Sequence, residues 1–125
     1  MRLKESSHDG VDVFALSGHV DLHYAPALRS LFKAKVESRC PVLVVDFTDV
    51  DFIDSTGLAT LVEYRRDAGA YRGIICLTGL NPAVKSIFDI VQFGQVLPIF
   101  PTVDDAVAAL KRGEIASSAA DEAVV

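Results

Sequence analysis

The feature that most restricts the fold of this chain is a short apolar run at residues 42–47, VLVVDF, directly after Pro41. Val, Leu and Phe fill every position of the run except the one held by Asp46, so it has no polar face to turn toward water. Such a run predicts a β-strand that is buried on both faces and lies in the middle of a sheet. Burial on both faces implies helices above and below that sheet, or at least a protected middle position, and together with the alternation of strands and helices described below it predicts an α/β domain.

The residues before this strand predict a β-hairpin and a helix. Residues 2–6 and 11–17 are two strand-like segments on either side of a turn signal, Asp9-Gly10. Pro26 then stands near the start of a stretch in which apolar residues recur at spacings of three and four, as is typical of an amphipathic helix. These apolar residues are Ala25, Leu28, Leu31, Phe32 and Val36.

The residues after the central strand continue the alternation of helices and strands. A second helix ends near Gly69 and leads to a short buried strand at residues 73–78, and this order is typical of parallel strands joined by a right-handed crossover. The apolar and periodic positions of that helix are Leu58, Leu61, Val62, Arg65 and Ala68. A third helix begins at Asn81-Pro82, and its apolar face is formed by Val84, Ile87, Phe88 and Val91.

The end of the chain predicts an edge strand, a last helix and a tail. Residues 96–100 include one proline and precede another, which fits an edge strand. A final helix then begins at a cap formed by Thr102 or Asp104 and continues through Leu110. We therefore expect a mixed sheet of four to five strands with about four helices, in one domain over residues 1–112. Residues 113–125 lack periodicity and predict a flexible tail rich in Ala, Ser and acidic residues.

Charge and hydropathy exclude several classes of function. The net charge of −5 and the lack of a Lys/Arg cluster argue against binding to nucleic acid. No apolar run approaches the roughly 20 residues of a membrane span, so we expect a cytoplasmic protein without a membrane segment. Cys40 and Cys76 stand alone, which predicts reduced core residues rather than a zinc or disulfide site. The high apolar content is also compatible with a homodimer.

The segment that carries chemistry runs from the central strand into the second helix and contains Asp54-Ser55-Thr56-Gly57-Leu58. Asp54 or Ser55 predicts a helix N-cap, and Gly57 leaves room for a close approach of another backbone. Taken alone, these residues are explained by a helix cap. Four aspartates occur within nine residues here, with no Lys or Arg among them: Asp46, Asp49, Asp51 and Asp54.

Three sequence blocks together resemble STAS domains, in particular the bacterial anti-sigma factor antagonists. The first is Asp-Ser-Thr-Gly-Leu at residues 54–58, after an apolar strand and a predicted loop, Asp-Val-Asp-Phe-Ile, at residues 49–53. The second is Gly18-His19-Val20-Asp21, and the third is the segment from Asn81-Pro82 to Asp89. The blocks occur in the family order and the similarity extends over roughly residues 10–110.

The resemblance implies a binding protein that is switched by phosphorylation. Ser55 would be phosphorylated by an anti-sigma factor that is itself a serine kinase, and a serine phosphatase would remove the phosphate. The unphosphorylated chain would bind the kinase in a partner-switching pathway, and phosphorylation would release it. The chain itself would be neither an enzyme nor a cofactor-binding protein. The partner-binding residues implied are Asp21, His23, Asp54, Ser55, Thr56, Gly57 and Leu58.

Two physical expectations follow for this segment. A phosphate on Ser55 would lie near unpaired amides at the positive end of a helix, which favours an anion without unfolding the helix. Asp21 would lie near Ser55 and help to position the kinase or its nucleotide, although it could equally be a simple cap of the first helix.

Three alternatives were weighed against the phospho-switch. The first is a STAS scaffold subunit of a signalling or lipid-transport complex, which would use the same surface without a switch. The second is a metal site at His19, Asp21 and His23, for which no further ligands complete a coordination shell. The third is a Ser-His-Asp hydrolase built on Ser55, which lacks the Gly-x-Ser-x-Gly turn.

Overall fold

The chain forms a five-stranded mixed sheet with four helices in a computed structural model that describes residues 1–91 and 97–113. The strands lie in the order β1-β2-β3-β4-β5, with β1 antiparallel to β2 and all other neighbouring pairs parallel. In chain order the elements are β1 (Arg2–His8), β2 (Val11–Val20), α1 (Ala25–Glu37), β3 (Val42–Ile53), α2 (Ser55–Gly69), β4 (Ile74–Thr78), α3 (Pro82–Ile90), β5 (Ile99–Phe100) and α4 (Val103–Lys111). The expected hairpin, central strand and edge strand are confirmed.

The central strand β3 is buried on both faces, as its apolar run predicts. Leu43, Val44 and Val45 follow one another in the chain, and all three are fully buried. Leu43 and Val45 belong to the larger core cluster, which includes buried residues of α1, α2 and α3. Val44 belongs to a smaller cluster on the other face, which includes Ala106 of α4. The two faces of the sheet are therefore covered by unequal numbers of helices.

The Asp-Val-Asp-Phe-Ile segment at residues 49–53 was expected to be a loop, and this expectation is wrong. The segment is the second half of β3 and pairs with the end of β2. Two register shifts occur in this pairing, and at each of them β3 has one residue more than β2. Extra residues of this kind interrupt the alternation of side chains along a strand. Val50 and Ile53 are consequently both buried although they lie three residues apart. Side chains on one face of a regular strand recur every second residue, so this spacing does not indicate a strand in the sequence.

Three apolar side chains expected to line helix faces are exposed. Leu31 of α1 is 40% exposed, because the buried side of that helix is formed by Ala25, Leu28 and Phe32. Val62 of α2 is also 40% exposed, and Val91, which follows the last residue of α3, is 48% exposed. Apolar spacing alone therefore overestimates how much of these three helices is covered.

The structure confirms the predictions for the two cysteines and for the cap of the last helix, whereas it does not describe most of the predicted tail. Cys40 and Cys76 are free and buried, and burial raises the pKa of Cys40 to about 11 and that of Cys76 to about 12. Thr102 caps α4 by accepting a hydrogen bond from the Asp105 amide. Residues 114–125 of the predicted tail and the first residue of the predicted last strand, Val96, lie outside the described residues.

None of the helices in the described parts of the chain has the length and apolar character needed to cross a membrane.

Candidate functional site

Ser55 is the first residue of α2, and only Asp54 separates it from the carboxyl end of β3. Its side chain is exposed. The neighbouring parallel strand β2 ends at the same edge of the sheet, and the loop from β2 to α1 begins there with Asp21. Carboxyl ends of parallel strands are where α/β proteins most often present functional side chains. The site therefore consists of two chain segments, the β3–α2 junction and the β2–α1 loop.

The carboxylate of Asp54 joins these two segments. Its Oδ1 accepts a hydrogen bond of 2.9 Å from the Gly57 amide and thereby caps α2. Its Oδ2 accepts a hydrogen bond of 2.9 Å from the Leu22 amide in the β2–α1 loop. The pKa of Asp54 is lowered mainly by the hydrogen bond from the Gly57 amide and, to a smaller extent, by the one from the Leu22 amide, because both favour the charged carboxylate. Desolvation opposes this shift but does not cancel it. Asp54 is thus an ionised clamp that fixes the loop relative to Ser55.

The amides at the start of α2 are less available to a phosphate than the sequence led us to expect. The Gly57 amide already donates to Asp54, and the Thr56 amide also contributes to the lowered pKa of that carboxylate. An anion on the Ser55 oxygen would therefore meet a helix end whose positive partial charge is already balanced by a carboxylate. The expectation of unpaired amides is corrected on this point.

Gly57 allows α2 to start directly against the end of β2. A Cβ atom at this position would lie 2.5 Å from the carbonyl oxygen of Val20 and 2.8 Å from Cγ1 of Ile53. The Val20 carbonyl also accepts a hydrogen bond from the Asp54 amide. The expected close approach at Gly57 is confirmed, and it brings the first turn of α2 next to the β2–α1 loop.

Asp21 and His23 lie in that loop, and their local role is to shape it. The Asp21 carboxylate accepts hydrogen bonds from the amides of His23 and Tyr24, at 3.1 and 3.4 Å. The Asp21 carbonyl accepts a further bond from the Ala25 amide at the start of α1. The described hydrogen bonds of the Asp21 side chain thus remain within its own loop, and its link to Ser55 runs through Leu22 and Asp54. His23 is exposed, with its ring edge-on to Tyr24.

Thr56 and Leu58 offer less free surface than Ser55. Thr56 is half-buried, and its carbonyl accepts a hydrogen bond from the Thr60 hydroxyl. Leu58 is also half-buried and packs against the main core cluster. A partner would therefore contact only parts of these two side chains.

Sequence reasoning missed two exposed apolar residues beside the site. Leu22 is 69% exposed, and Phe52 is 43% exposed with the ring of His19 against it at 5.7 Å between centroids. The signal for Leu22 was available in the sequence, since it is an apolar residue between two polar ones in a loop. The exposure of Phe52 could not be predicted, because the sequence predicts a loop at residues 49–53.

The described residues contain no group of three or more His, Cys, Asp and Glu side chains that could hold a metal ion.

Replacing Asp54 with alanine should lower the free energy of unfolding by about 1–2 kcal/mol, because α2 loses its N-cap. Asp54→Asn should have an intermediate effect, since the amide oxygen can still accept from Gly57 but its NH₂ group cannot accept from Leu22. Urea unfolding at neutral pH measures both values. The matched control is Asp51→Ala at a nearby exposed position, for which we expect a change within about 0.5 kcal/mol.

The contribution of Asp54 should also depend on pH. Because its pKa in the folded protein lies below the ordinary value of 3.8, the stabilisation is fully present above that value and is lost as the pH falls through the lower folded pKa. The difference in stability between the wild type and Asp54→Ala should therefore shrink in acid. A difference that stays the same from neutral pH to below the folded pKa would contradict the clamp.

Comparisons with known proteins agree on one family. The family model for the STAS domain matches residues 4–106. The anti-sigma F factor antagonist of Paenibacillus polymyxa is 25% identical over 118 residues, covering 94% of this chain and 98% of that protein. The crystal structure of an anti-sigma factor antagonist from Mycobacterium paratuberculosis is 32% identical, with a TM-score of 0.80, and the match covers 88% of this chain and 93% of that chain.

The fold is also similar to that of a solved structure in a phosphorylated state. This is the Bacillus cell fate determinant SpoIIAA in its phosphorylated form, with a TM-score of 0.68 and coverage of 87% of this chain and 99% of that chain. Its sequence identity is 18%, so the likeness concerns the fold alone.

Proposed function

This chain belongs to the STAS domain family, and on that basis we propose that it is an anti-sigma factor antagonist whose Ser55 is reversibly phosphorylated. In its unphosphorylated form it binds an anti-sigma factor that is a serine kinase, and phosphorylation of Ser55 releases it. The observation that supports Ser55 most directly is its exposed side chain on the first turn of a helix whose start is fixed by Asp54. The relatives from Paenibacillus polymyxa and Mycobacterium paratuberculosis are both named as anti-sigma factor antagonists, which supports this part of the proposal.

The phosphoryl transfer requires the kinase to supply the catalytic groups. The Ser55 oxygen attacks the γ-phosphorus of ATP, the bond from that phosphorus to the β,γ-bridging oxygen breaks, and ADP leaves. The hydroxyl proton passes to a base of the kinase. Asp54 is poorly suited to be that base, because both of its oxygens already accept hydrogen bonds from backbone amides and its pKa is lowered. The chain therefore acts as substrate and binding partner, not as an enzyme.

The phosphate acts mainly through its charge. It adds about −1.5 to −2 charges at neutral pH. Residues 41–64 contain no Lys or Arg, and Asp54 is directly adjacent. Within this segment there is thus no cationic side chain to compensate the new charge. A partner surface that accommodates the hydroxyl would have to desolvate the phosphate beside a carboxylate, which is unfavourable.

The partners in this proposal are an anti-sigma factor serine kinase and a serine phosphatase that hydrolyses the phosphate from Ser55. Sigma factors and ATP are both found in the cytoplasm, so the proposed function locates the protein there. Asp21, Leu22 and His23 belong to the β2–α1 loop, which the hydrogen bond from Leu22 holds against Asp54, the residue before Ser55. In this proposal all three form part of the partner surface.

The experiment that tests the proposal is intact-mass analysis of the protein purified from its native cells, with mapping of the modified residue. We expect a gain of one phosphate on Ser55 that disappears on treatment with a serine phosphatase and is lacking in Ser55→Ala. Thr56 is the matched neighbouring hydroxyl, and Thr56→Ala should still be phosphorylated. Absence of phosphate on Ser55 under every growth condition would favour the scaffold alternative, in which Asp54-Ser55-Thr56 is only a helix cap.

A further inference from the structure

Leu22 is the most exposed large apolar side chain at the site around Ser55. It is 69% exposed, and the residues on both sides of it in the loop are polar. An exposed leucine forgoes the favourable free energy that burial of its side chain would contribute. Single exposed apolar residues are common on protein surfaces. The exposure of Leu22 therefore indicates a binding role only if other features of the structure fix the position of this residue.

Two hydrogen bonds to carboxylates hold the backbone at Leu22 and at the next residue. The Leu22 amide donates to Asp54 Oδ2 at 2.9 Å, and the amide of the next residue donates to the Asp21 carboxylate. The same Asp54 carboxylate caps the helix that begins with Ser55. The backbone that carries the Leu22 side chain is thus held at a fixed position relative to the first turn of α2. A loop backbone that is already ordered loses little conformational entropy when a partner covers it, which favours the use of Leu22 as an anchor.

The charges around Leu22 define the partner surface that would fit it. Residues 19–28 and 41–64, which include both segments of the site, contain no Lys or Arg. Asp21 and Asp54 flank Leu22 through the hydrogen bonds described above, and Asp51 is exposed on the adjoining strand. A complementary surface therefore has an apolar pocket for one leucine side chain, bordered by lysine or arginine residues.

We propose that Leu22 is the apolar anchor through which the serine kinase recognises this chain, and that Asp54 positions it relative to Ser55. This inference rests on the proposed function, because it assigns a recognition residue to the kinase that phosphorylates Ser55. Truncation of the Leu22 side chain leaves its backbone amide in place. The hydrogen bond to Asp54 and the cap of α2 therefore persist in Leu22→Ala, and only the contact with the partner is removed.

The test is the initial rate at which the dephosphorylated protein gains phosphate in a clarified lysate of its native cells supplied with Mg²⁺ and ATP. Initial rates start from protein without phosphate and so report the kinase and not the phosphatase. Intact mass distinguishes a tagged variant from the endogenous chain. We expect Leu22→Ala to lower the rate at low protein concentration at least about tenfold, as for the truncation of an interface anchor. Raising the concentration of the variant should recover part of the rate, because the defect lies in KM.

The matched control is Leu31→Ala, which removes the same atoms from a side chain of α1 that is 40% exposed. It should be phosphorylated at the wild-type rate, and Leu22→Met should retain most of the wild-type rate because it keeps an apolar side chain of similar size. A wild-type rate for Leu22→Ala, together with phosphorylation of the wild type on Ser55, would overturn the anchor and leave the proposed function intact. A wild type that gains no phosphate on Ser55 would overturn both.

Discussion

Phosphorylation of Ser55 should weaken binding to the purified partner kinase about 100- to 1,000-fold, which corresponds to a loss of about 3–4 kcal/mol. The physical reason is that the modified side chain is exposed in the free protein and becomes desolvated when the partner covers it. The neighbouring Asp54 is ionised, and its carboxylate already accepts the Gly57 amide that could otherwise stabilise the phosphate. Titration calorimetry with phosphorylated and dephosphorylated protein measures the difference directly.

Two controls show whether the phosphate weakens binding through its charge. The first tests the loss of the hydroxyl, and the second tests whether the fold is changed. Ser55→Ala removes the acceptor oxygen without adding charge, so it should bind the kinase within about threefold of the wild type, since the lost hydroxyl contact is worth on the order of 0.5 kcal/mol at an exposed position. The phosphorylated protein should also unfold with a free energy within about 1 kcal/mol of the unmodified one, because Asp54 and not Ser55 caps α2. Equal affinities of the phosphorylated and unphosphorylated forms would rule out release by charge.

Replacing Gly57 with alanine should lower the free energy of unfolding by about 2–3 kcal/mol, in the range measured for overpacked sites. This is the opposite of the usual effect, since alanine is favoured over glycine inside a helix by about 1 kcal/mol. The added Cβ would lie 2.5 Å from the Val20 carbonyl oxygen and 2.8 Å from Ile53 Cγ1. Val20 and Ile53 are paired with each other across β2 and β3, so neither can move away without disturbing the sheet.

The same helix provides a control for Gly57→Ala. Ala59 is exposed on α2, and Ala59→Gly measures the intrinsic difference between the two residues there, with an expected loss of about 1 kcal/mol. Urea unfolding of both variants gives the comparison. If Gly57→Ala were as stable as the wild type, the close contact between α2 and β2 could not exist as described. We also expect Gly57→Ala to slow phosphorylation, because the first turn of α2 must shift to accept the methyl group.

The β3–α2 junction illustrates how far local sequence determines the site. The apolar run at residues 42–47 predicted a strand buried on both faces, and Asp54-Ser55-Thr56-Gly57 predicted a helix start with a cap and a close approach. Both predictions depend on residues that are neighbours in the chain and are confirmed. The local sequence does not predict that residues 49–53 form a strand. The two extra residues of β3 break the alternation of buried and exposed positions, and they are recognised as bulges only when β3 is paired with β2.

The sequence by itself determined the order of the elements, the mixed sheet and the places where α2, α3 and α4 begin, because apolar spacing and capping act over a few neighbouring residues. It also pointed to Ser55 as the serine that we propose is phosphorylated. Only the tertiary structure decided that the Asp54 carboxylate binds the Leu22 amide, that the Gly57 and Thr56 amides at the start of α2 are already engaged, and that the Leu22 side chain is exposed. Asp54 and Leu22 are 32 residues apart in the chain, and they meet because β2 and β3 are parallel neighbours that end at the same edge of the sheet.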